Sequence, residues 1–493
     1  MTSRRRKVLL LFPSSFRSPR MLGMTDLQLH SHFHPVKFAL LSLFSHLRGR
    51  GIETDILDLE AELGRPRSSE EVSGFCEGAK RLISSKDFDL AAISCYTSFE
   101  YTAAMEVGRI CRRLNPRACL VAGGYHPSAL PEDFTAPGSP FDNIITGEAE
   151  TALAEIASGE IGCPSGQPRV IPGRPLELRD DDALHYESYP YLRPPAPVVS
   201  VVLSRGCPFR CDFCVESAIG AGWRTHSVSK SVKILEHLLS VARPSLIMIQ
   251  DPLFGFQKSW RREFLEALVR RRFPVPLGLQ IRMDILDQED VDLLSKLQAM
   301  VQVGVETASP RMMGIMKKTT NPSLYLQRLR ETLSYASRKE AAFLLNLLFN
   351  HPGETPATFH ETLSFFDILS ARLAESPFTI GPVGYSFLPG APEFYGIADY
   401  EKEFGAQVLH KGWWRDAGQD SSETAVIASR ETEHAFGRDF YYWFKPAHSL
   451  RKQILSKAGD SLKMALATAS AVLSTSNSRI GSLRDGASSS PAC

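Results

Sequence analysis

The sequence lacks an excess of charge of either sign, because 56 lysine and arginine residues accompany 55 aspartate and glutamate residues. Proteins that bind nucleic acid through its phosphates need a basic surface, so we do not expect nucleic acid as a partner. No stretch comes near the roughly 20 apolar residues of a membrane-spanning helix, and we expect no membrane segment. The basic and apolar start imitates a signal peptide, but its apolar run before Pro13 has only about five residues, below the roughly 7 of such a signal.

Cysteine is also scarce and unevenly distributed. The nine cysteines are an odd number, and Cys95, Cys111 and Cys119 each stand alone in an apolar segment. Such isolated cysteines are typical of buried thiols in a reducing compartment and not of a disulfide framework. We therefore expect a cytoplasmic protein with free thiols.

The first 160 residues alternate short, almost entirely apolar runs with amphipathic segments. Continuous apolar strands separated by such helices are typical of a parallel sheet that is covered on both faces. Residues 1–160 are therefore predicted to form a doubly wound, Rossmann-like domain. Residues 161–197 are rich in proline, aspartate and arginine without a sustained period, which predicts an extended linker.

The alternation resumes at residue 198 and gives about six β-type runs up to residue 395, each followed by a helical or loop segment. This α/β pattern predicts a partial (β/α)6 TIM barrel, a fold that places its chemistry at the C-terminal ends of the strands. Residues 396–460 are mixed and aromatic and are expected to cap the barrel. Residues 461–493 are expected to form a disordered tail.

The most specific feature is the segment "SRGCPFRCDFCVES", in which Cys207, Cys211 and Cys214 have the spacing C-x3-C-x2-C. A closed zinc site needs four ligands, usually two C-x2-C pairs, and the sequence has no second pair. A cubane iron–sulfur cluster takes one thiolate per iron, so three cysteines leave one iron free for an exogenous chelator. The spacing therefore predicts such a cluster. A structural knuckle completed by a distant cysteine or by His226 is the alternative.

With Phe213 directly before the third cysteine, this motif resembles the signature of the radical SAM superfamily. In that family the free iron binds S-adenosylmethionine (SAM), which one electron cleaves to methionine and a 5′-deoxyadenosyl radical. The resemblance implies a [4Fe–4S] cluster on the three cysteines and an electron donor, such as flavodoxin or ferredoxin, as a partner. The cofactors then carry the radical chemistry, and the protein orients them and excludes water.

Further segments resemble successive strand ends of the radical SAM barrel, among them "IMIQDPLFG", "LQIRMD" and "VGVETASPRMM". The resemblance implies that they supply the contacts to SAM. Taken singly, Asp251 or Glu306 would more often be a helix cap or a solvated charge, but their appearance in order favours the functional interpretation. A fifth segment, "LNLLFNHPGETPATF", has His351 where the family often has an apolar residue. The predicted SAM-binding residues are Phe213, Asp251, Pro252, Gln280, Arg282, Glu306 and Ser309.

Three segments of the first domain, "AISCYTSFEYTAAM", "VAGGYHPSALPEDF" and "IITGEAETALAEI", resemble the cobalamin-binding domain that precedes many radical SAM barrels. Gly123 and Gly124 end a strand, where the absence of side chains lets the backbone approach a large flat ligand. A plain tight turn would explain the two glycines alone. The predicted cobalamin-binding residues are Ser94, Thr97, Gly123, Gly124, His126, Gly147 and Glu148.

The motif D-x-H-x-x-G, which supplies an imidazole to the lower face of cobalt in many cobalamin domains, is absent. The nearest match, "FSHLRG", has Phe44 in the acidic position. His30, His32 and His34 alternate and invite a metal interpretation, but a polar loop that contains three histidines is favoured. We therefore expect cobalamin to bind without a histidine ligand, with His126 as a packing or ligand-shell residue.

These resemblances together imply a cobalamin-dependent radical SAM C-methyltransferase. It would modify an unactivated carbon of a small biosynthetic intermediate through the 5′-deoxyadenosyl radical and methylcobalamin. The alternative with the same cofactors is a cyclase or ring-rearranging enzyme, similar to the anaerobic magnesium-porphyrin cyclases. A methylthiotransferase is disfavoured because the cysteines of the first domain form no second cluster set, and a noncatalytic metal-binding module is the alternative from another class.

The aromatic segments near the C-terminus, "KGWWRD" and "DFYYWFKP", resemble the closing region of the same family. The resemblance implies that they cap the barrel over the substrate. Trp413, Trp414, Tyr441 and Tyr442 are nevertheless more often core residues than cofactor contacts. The sequence specifies neither the substrate nor the catalytic residues.

Overall fold

The computed structural model describes residues 6–16, 36–66, 68–164, 166–219, 221–339, 341–416 and 426–468. Within these residues the chain forms two six-stranded parallel sheets, one in each predicted α/β domain. The three alternating histidines of residues 30–34 lie outside the described residues. No helix of the described chain combines the length and the apolar character that crossing a membrane requires.

The first sheet has the strand order β2-β1-β3-β4-β5-β6. The direction in which successive strands are added to this sheet reverses at β1, because β2 lies on one side of β1 and β3 on the other. In such sheets ligands bind at the carboxyl ends of the strands near this reversal, between β1 and β3. The strands are β1 (Val8–Phe12), β2 (Thr54–Asp58), β3 (Leu90–Ser94), β4 (Cys119–Gly123), β5 (Asn143–Thr146) and β6 (Arg169–Pro172). The helices are α1 (Phe38–Gly49), α2 (Leu59–Leu63), α3 (Ser69–Ser84), α4 (Tyr101–Leu114), α5 (Tyr125–Ala129), α6 (Glu132–Thr135) and α7 (Glu150–Ser158).

Strand β1 shows why the apolar runs fold this way. Its five residues are all buried, and they alternate between two apolar layers. Leu9 and Leu11 pack in one layer, whereas Val8, Leu10 and Phe12 pack in the other. A strand with helices on both faces of its sheet needs apolar side chains on both sides, which produces a continuous run.

The region predicted as a linker is tied to the first sheet at two places. Strand β6 lies within residues 161–197 and pairs with β5 from Asn143↔Arg169 to Thr146↔Pro172. Cys119, at the start of β4, forms a disulfide with Cys163, with a Cα–Cα distance of 5.9 Å. The prediction of a free thiol at Cys119 is therefore wrong. The bond joins residues 44 positions apart, and their spacing in the sequence carries no signal of it.

The second sheet has the order β14-β13-β12-β11-β10-β7, with β7 and β14 as its two edges, so it is a barrel that is not closed. A short antiparallel pair, β8 with β9, follows its first strand. The strands are β7 (Val198–Val201), β8 (Ser204–Arg205), β9 (Arg224–Thr225), β10 (Leu246–Ile249), β11 (Leu277–Ile281), β12 (Met300–Glu306), β13 (Ala342–Phe349) and β14 (Phe378–Gly384). The helices are α8 (Glu216–Ile219), α9 (Val228–Ala242), α10 (Lys258–Arg270), α11 (Gln288–Lys296), α12 (Pro310–Ile315), α13 (Pro322–Ala336) and α14 (Pro356–Ala371).

Strand β12 shows how the barrel separates its two faces. Val301, Val303 and Val305 are fully buried in the apolar core. Gln302 and Glu306 alternate with them and are only partly buried, on the interior side. Because successive side chains of a strand point to opposite faces, the interior of the barrel receives the polar members of β12.

The C-terminal region packs against both domains. It contains α15 (Pro392–Tyr395), α16 (Ile397–Phe404), β15 (Gln407–Val408), β16 (Val426–Ile427), α17 (Arg430–Phe436) and α18 (Phe444–Ser456). Trp413, Trp414 and Tyr442 are buried, as expected of core residues, whereas Tyr441 is exposed. Residues 461–468, which we expected to be disordered, are helical, because Leu462 packs on Ala342 at the start of β13.

Candidate functional site

The three cysteines lie on residues 206–215, here called the cluster loop, which connects β8 to α8. The chain enters the loop through Gly206, whose φ is +79°. A Cβ atom at this position would lie 2.0 Å from the carbonyl oxygen of Gly222. Only glycine therefore permits this path of the backbone.

The thiols of the cluster loop lie close enough to influence one another. Burial raises the pKa of Cys214 to about 12, and the charges of Cys211 and Cys207 add to the increase. Burial and the charge of Cys211 also raise the pKa of Cys207. Thiolates in this loop therefore need a cation to stabilise them, and a bound metal deprotonates its thiol ligands.

The donor set fits a cubane cluster. In the part of the chain that the structure describes, no three His, Cys, Asp or Glu side chains are grouped so that they could hold one metal ion. A cubane does not need such a grouping, because each thiolate binds a different iron. His226, the alternative fourth ligand, contacts the linker instead, with Nδ1 3.2 Å from the carbonyl oxygen of Arg179.

Arg282, predicted to contact SAM, lies directly against the cluster loop. Its guanidinium group covers the ring of Phe209 at 3.8 Å from the centroid and donates to Sγ of Cys211 at 3.8 Å. Two further hydrogen bonds, of 2.9 and 2.8 Å, join it to the carboxylate of Asp284. Arg282 therefore delivers positive charge to a cysteine of the loop while Asp284 fixes its orientation.

Asp251 holds the backbone that leads into the cluster loop. Its carboxylate accepts hydrogen bonds from the N–H of Leu203 at 2.7 Å and from the hydroxyl of Ser204 at 2.6 Å. Burial raises the pKa of Asp251 to about 7, although these hydrogen bonds oppose the increase. Pro252, beside it, is exposed.

The other predicted SAM residues lie along the ends of β11 and β12. Glu306 has a φ of +68° and accepts a hydrogen bond from Nζ of Lys318, which is buried, at 3.1 Å. Gln280 is exposed and donates to Oε1 of Gln302 at 3.2 Å. The buried Oγ of Ser309 has no hydrogen-bond partner among the described residues, which leaves it available to a ligand.

Phe213, the aromatic residue of the cysteine motif, meets the end of β13. Its ring lies edge-on to His351, with the centroids 6.5 Å apart. His351 is fully buried, and its Nε2 lies 2.6 Å from Oε2 of the buried Glu393 in α15. His351, at a position where the family often has an apolar residue, thus has a carboxylate of the C-terminal region as its partner.

The predicted cobalamin residues lie at the carboxyl ends of β3, β4 and β5, as expected for a ligand crevice. Ser94 and Gly123 are paired in the β3–β4 register, and Gly147 follows β5 with a φ of +76°. Gly124 has a φ of +122°, and a Cβ there would lie 2.2 Å from the carbonyl oxygen of Cys95. Thr97 caps the turn that follows β3, where its hydroxyl accepts from the N–H of Phe99 and its own N–H donates to the carboxylate of Glu100. The carboxyl ends of β3, β4 and β5 therefore offer a ligand mostly backbone atoms and few side chains.

His126 is a buried packing residue of the first domain. Its Nδ1 lies 2.6 Å from Oγ of Ser98 and its Nε2 3.2 Å from Oδ2 of Asp133. Asp133 also accepts hydrogen bonds of 2.6 Å each from the indole of Trp414 and from Arg415. The histidine thus belongs to the contact that joins the C-terminal region to the first domain.

Glu148 connects the crevice of the first domain to the chain before the cluster loop. It accepts hydrogen bonds from Arg205, at 3.0 Å, and from Arg224. Arg205 also donates to Glu150 and to Oγ of Ser42, each at 2.7 Å. Burial would raise the pKa of Glu150, but the charge and hydrogen bonds of Arg205 lower it to about 2.

The other end of the cluster loop is also held by the first domain. The hydroxyl of Tyr125, next to Gly124, donates to the carboxylate of Glu216, two residues after Cys214. Tyr96, after β3, lies edge-on to Tyr125 with the ring centroids 5.3 Å apart. The crevice is therefore in direct side-chain contact with the residues that flank the cluster loop on both sides.

Sequence reasoning missed several of these residues, namely Tyr125, Asp133, Arg205, Glu216 and Glu393. Each acts through a partner far away in the chain. Arg205 and Glu216 both lie inside the quoted cysteine segment, where an arginine and a glutamate have the appearance of ordinary surface charges. Tyr125 lies between two residues that were singled out.

Two family models match the chain. The model of the B12-binding domain matches residues 28–157, and the model of the Radical SAM superfamily matches residues 201–366. These ranges fall on the first and the second sheet. The predicted fold, a Rossmann-like domain before a partial barrel, is confirmed.

Individual relatives are distant. An uncharacterised methyltransferase of Pyrococcus horikoshii is 25% identical over 320 residues, which span 61% of this chain and 68% of that protein. The anaerobic magnesium-protoporphyrin IX monomethyl ester cyclase of Rubrivivax gelatinosus is 23% identical over 300 residues, 56% of this chain and about half of the cyclase, 53%. Among solved structures, the radical S-adenosylmethionine methyltransferase TsrM from Kitasatospora setae has a TM-score of 0.66 at 19% identity, with 90% of each chain covered. This last likeness extends the shared fold over both domains and the C-terminal region.

Proposed function

We propose that this chain, which belongs to the radical SAM enzymes that carry a B12-binding domain, is a C-methyltransferase. Its substrate is a small biosynthetic intermediate that accepts the methyl group at an unactivated carbon. The observation that carries the proposal is the direct contact between the strand-end crevice and the two residues that flank the cluster loop, Arg205 with Glu148 and Glu216 with Tyr125. A methyl transfer that needs both domains requires their reactive centres at one shared interface.

The two domains imply three cofactors, namely a [4Fe–4S] cluster, SAM and cobalamin. When bound, the cluster supplies the electron that splits SAM into methionine and a 5′-deoxyadenosyl radical, and cobalamin carries the methyl group. We assign Cys207, Cys211 and Cys214 to the cluster. The free Oγ of Ser309 is the SAM contact best supported by its surroundings, since a buried hydroxyl needs a partner.

The chain's own residues orient these groups. Arg282 places its positive charge beside Cys211, where it stabilises a thiolate. Asp251 fixes Leu203 and Ser204 before the loop. Arg205 and Tyr125 hold the chain on either side of the loop against the first domain.

The interior of the barrel supports a small and uncharged polar substrate. Gln280 and Gln302 are direct neighbours in the β11–β12 register. Asn346 of β13 is paired with Gly304, which follows Gln302 by two residues in β12. Their amides can donate and accept hydrogen bonds. The charged groups nearest to them in the sequence, Arg282 and Glu306, are each paired within the protein.

Methylation is favoured over cyclisation by the P. horikoshii relative, which bears the name of a methyltransferase and is 25% identical to this chain, against 23% for the cyclase of R. gelatinosus. The cyclase of R. gelatinosus is the relative that supports the second candidate, a ring-forming reaction with the same cofactors. The two candidates differ in one product. Only methyl transfer converts SAM to S-adenosylhomocysteine.

The test uses anaerobically reconstituted protein with cobalamin, reduced flavodoxin and SAM that carries a trideuterated methyl group, incubated with a small-molecule extract of the source cells. We expect S-adenosylhomocysteine and 5′-deoxyadenosine in comparable amounts, and a product that has gained the labelled methyl group. The matched control is the Cys207→Ala, Cys211→Ala, Cys214→Ala variant, which should form neither 5′-deoxyadenosine nor the methylated product. Formation of 5′-deoxyadenosine without S-adenosylhomocysteine would refute methylation and support the cyclase candidate. One zinc and no sulfide in the protein would support a noncatalytic module.

A further inference from the structure

Asp212 lies in the middle of the cluster loop, between Cys211 and Cys214, and is buried. Its N–H donates to the carbonyl oxygen of Met316 at 3.0 Å, and its own carbonyl accepts from the N–H of Glu393 at 3.1 Å. Its Oδ2 accepts from the hydroxyl of Tyr400 at 3.0 Å and pairs with Nζ of Lys317 at 2.9 Å. Both backbone groups and one carboxylate oxygen of this single residue are thus held by other parts of the chain.

These partners come from two separate places. Met316 and Lys317 follow α12, beyond the end of barrel strand β12. Glu393 and Tyr400 lie in α15 and α16 of the C-terminal region. The barrel and the C-terminal region therefore hold the centre of the cluster loop together, whereas the first domain holds the residues that flank it.

The attachment of α15 is itself fixed. The side chain of Glu393 meets His351 at 2.6 Å, and both residues are buried. His351 lies directly after β13, and its ring is adjacent to the ring of Phe213. The segment Asp212–Phe213 is therefore enclosed between the end of β13 and the helices α15 and α16.

We propose that Tyr400 is a positioning residue for the iron–sulfur cluster, which it serves through Asp212. Its hydroxyl fixes the loop between Cys211 and Cys214 and, with Lys317, compensates the negative charge of a carboxylate beside the cluster. This rests on the proposed function, in which Cys207, Cys211 and Cys214 carry that cluster. Groups that hydrogen-bond directly to metal ligands typically change metal affinity by about 10- to 100-fold, and Tyr400 acts one residue away from the ligands, so we expect its effect at the lower end of this range. Hydrogen bonds and charge near a cluster also set its reduction potential.

The test compares Tyr400→Phe with Tyr335→Phe, both reconstituted with iron and sulfide under anaerobic conditions. Tyr335 is a matched control, because its hydroxyl also donates to a carboxylate, that of Asp292, at 3.0 Å. That pair joins α13 to α11, outside the cluster loop. We expect Tyr400→Phe to release iron to a ferrous chelator about 10-fold faster than wild type. Its reduced cluster should have an altered EPR spectrum and a more negative potential, since the carboxylate is less compensated.

Lys317→Met provides a second variant. Lys317 is 64% exposed, so water replaces its contact more easily, and we expect a smaller increase in iron release than for Tyr400→Phe. Thermal unfolding separates loss of stability from these effects, because Tyr335→Phe loses a comparable hydrogen bond. If Tyr400→Phe matches Tyr335→Phe in iron release, EPR spectrum and potential, the role of Tyr400 is refuted while the proposed function stands. If reconstituted wild-type protein binds no iron and sulfide, both the role of Tyr400 and the proposed function are refuted.

Discussion

Arg205 offers the sharpest test of how the two domains are joined. Its guanidinium group donates to Glu148, Glu150 and Ser42 across the domain interface. The pKa of Glu150 is about 2 in the folded chain against an ordinary 4.5. At about 1.4 kcal/mol for each pKa unit, this difference corresponds to about 3 kcal/mol. Removal of one partner from a buried ion pair typically costs about 3–5 kcal/mol, which agrees.

We therefore expect Arg205→Met to lower the free energy of unfolding at pH 7 by about 3 kcal/mol. The sign of the pH dependence follows from the depressed pKa of Glu150. The stabilisation is complete above pH 4.5, the ordinary pKa, and is lost as the pH falls towards about 2. Arg205→Met should not show this loss, because burial without Arg205 raises the pKa of Glu150, and the variant should instead gain stability as the pH falls from 7 towards 4.5.

The assay is urea unfolding followed by circular dichroism, at pH 7 and at several values from pH 5 down to pH 3. Arg174→Met is the control, since Arg174 pairs with Glu155 at the exposed surface and should contribute at most about 1 kcal/mol. Adding Glu150→Gln to Arg205→Met removes the stranded charge and should restore a large part of the loss. The reasoning is refuted if Arg205→Met is no less stable than Arg174→Met, or if the double variant is no more stable than Arg205→Met.

Two further predictions concern the residues around the interface. Burial raises the pKa of Asp251 to about 7 from an ordinary 3.8, so its ionisation opposes folding, and Asp251→Asn should gain stability relative to wild type as the pH rises between these values. Denaturant unfolding at several pH values measures this, and a difference that stays constant with pH would contradict it. Gly124→Ala should abolish cobalamin binding in anaerobic absorbance titrations, because its Cβ would meet the carbonyl oxygen of Cys95 at 2.2 Å. Gly138→Ala, also at positive φ but in open space, should bind normally, and equal binding by both variants would count against the crevice at Gly124.

Local patterns in the sequence were sufficient to predict the two α/β domains. The apolar runs of β1 and β3 and the alternation along β12 follow from burial on one or both faces of a sheet, which periodicity records directly. The cysteine spacing likewise records a local requirement, three thiols on one short loop. Gly124 was anticipated as a place without a side chain, and the structure adds the physical reason, the close approach of Cys95.

Contacts between distant polar groups were not visible in the sequence. Arg205 and Glu150 are separated by 55 residues, and nothing in either segment marks one as the partner of the other. Strand β6 lay hidden in a segment rich in proline and arginine, because an edge strand is stabilised by pairing with β5 and not by its own apolar character. The disulfide at Cys119 has the same origin, since tertiary structure alone brings Cys163 beside it.

The support of the cluster loop from three parts of the chain has a consequence for biogenesis. The partners of Arg205 are synthesised before the cysteines, but Tyr400 follows Asp212 by 188 residues. A nascent chain on the ribosome therefore contains its cysteines long before Tyr400, which helps to hold their loop, has been synthesised. Iron and sulfide delivered at that stage meet an incompletely held loop. We therefore expect stable cluster insertion only after the C-terminal helices have been synthesised.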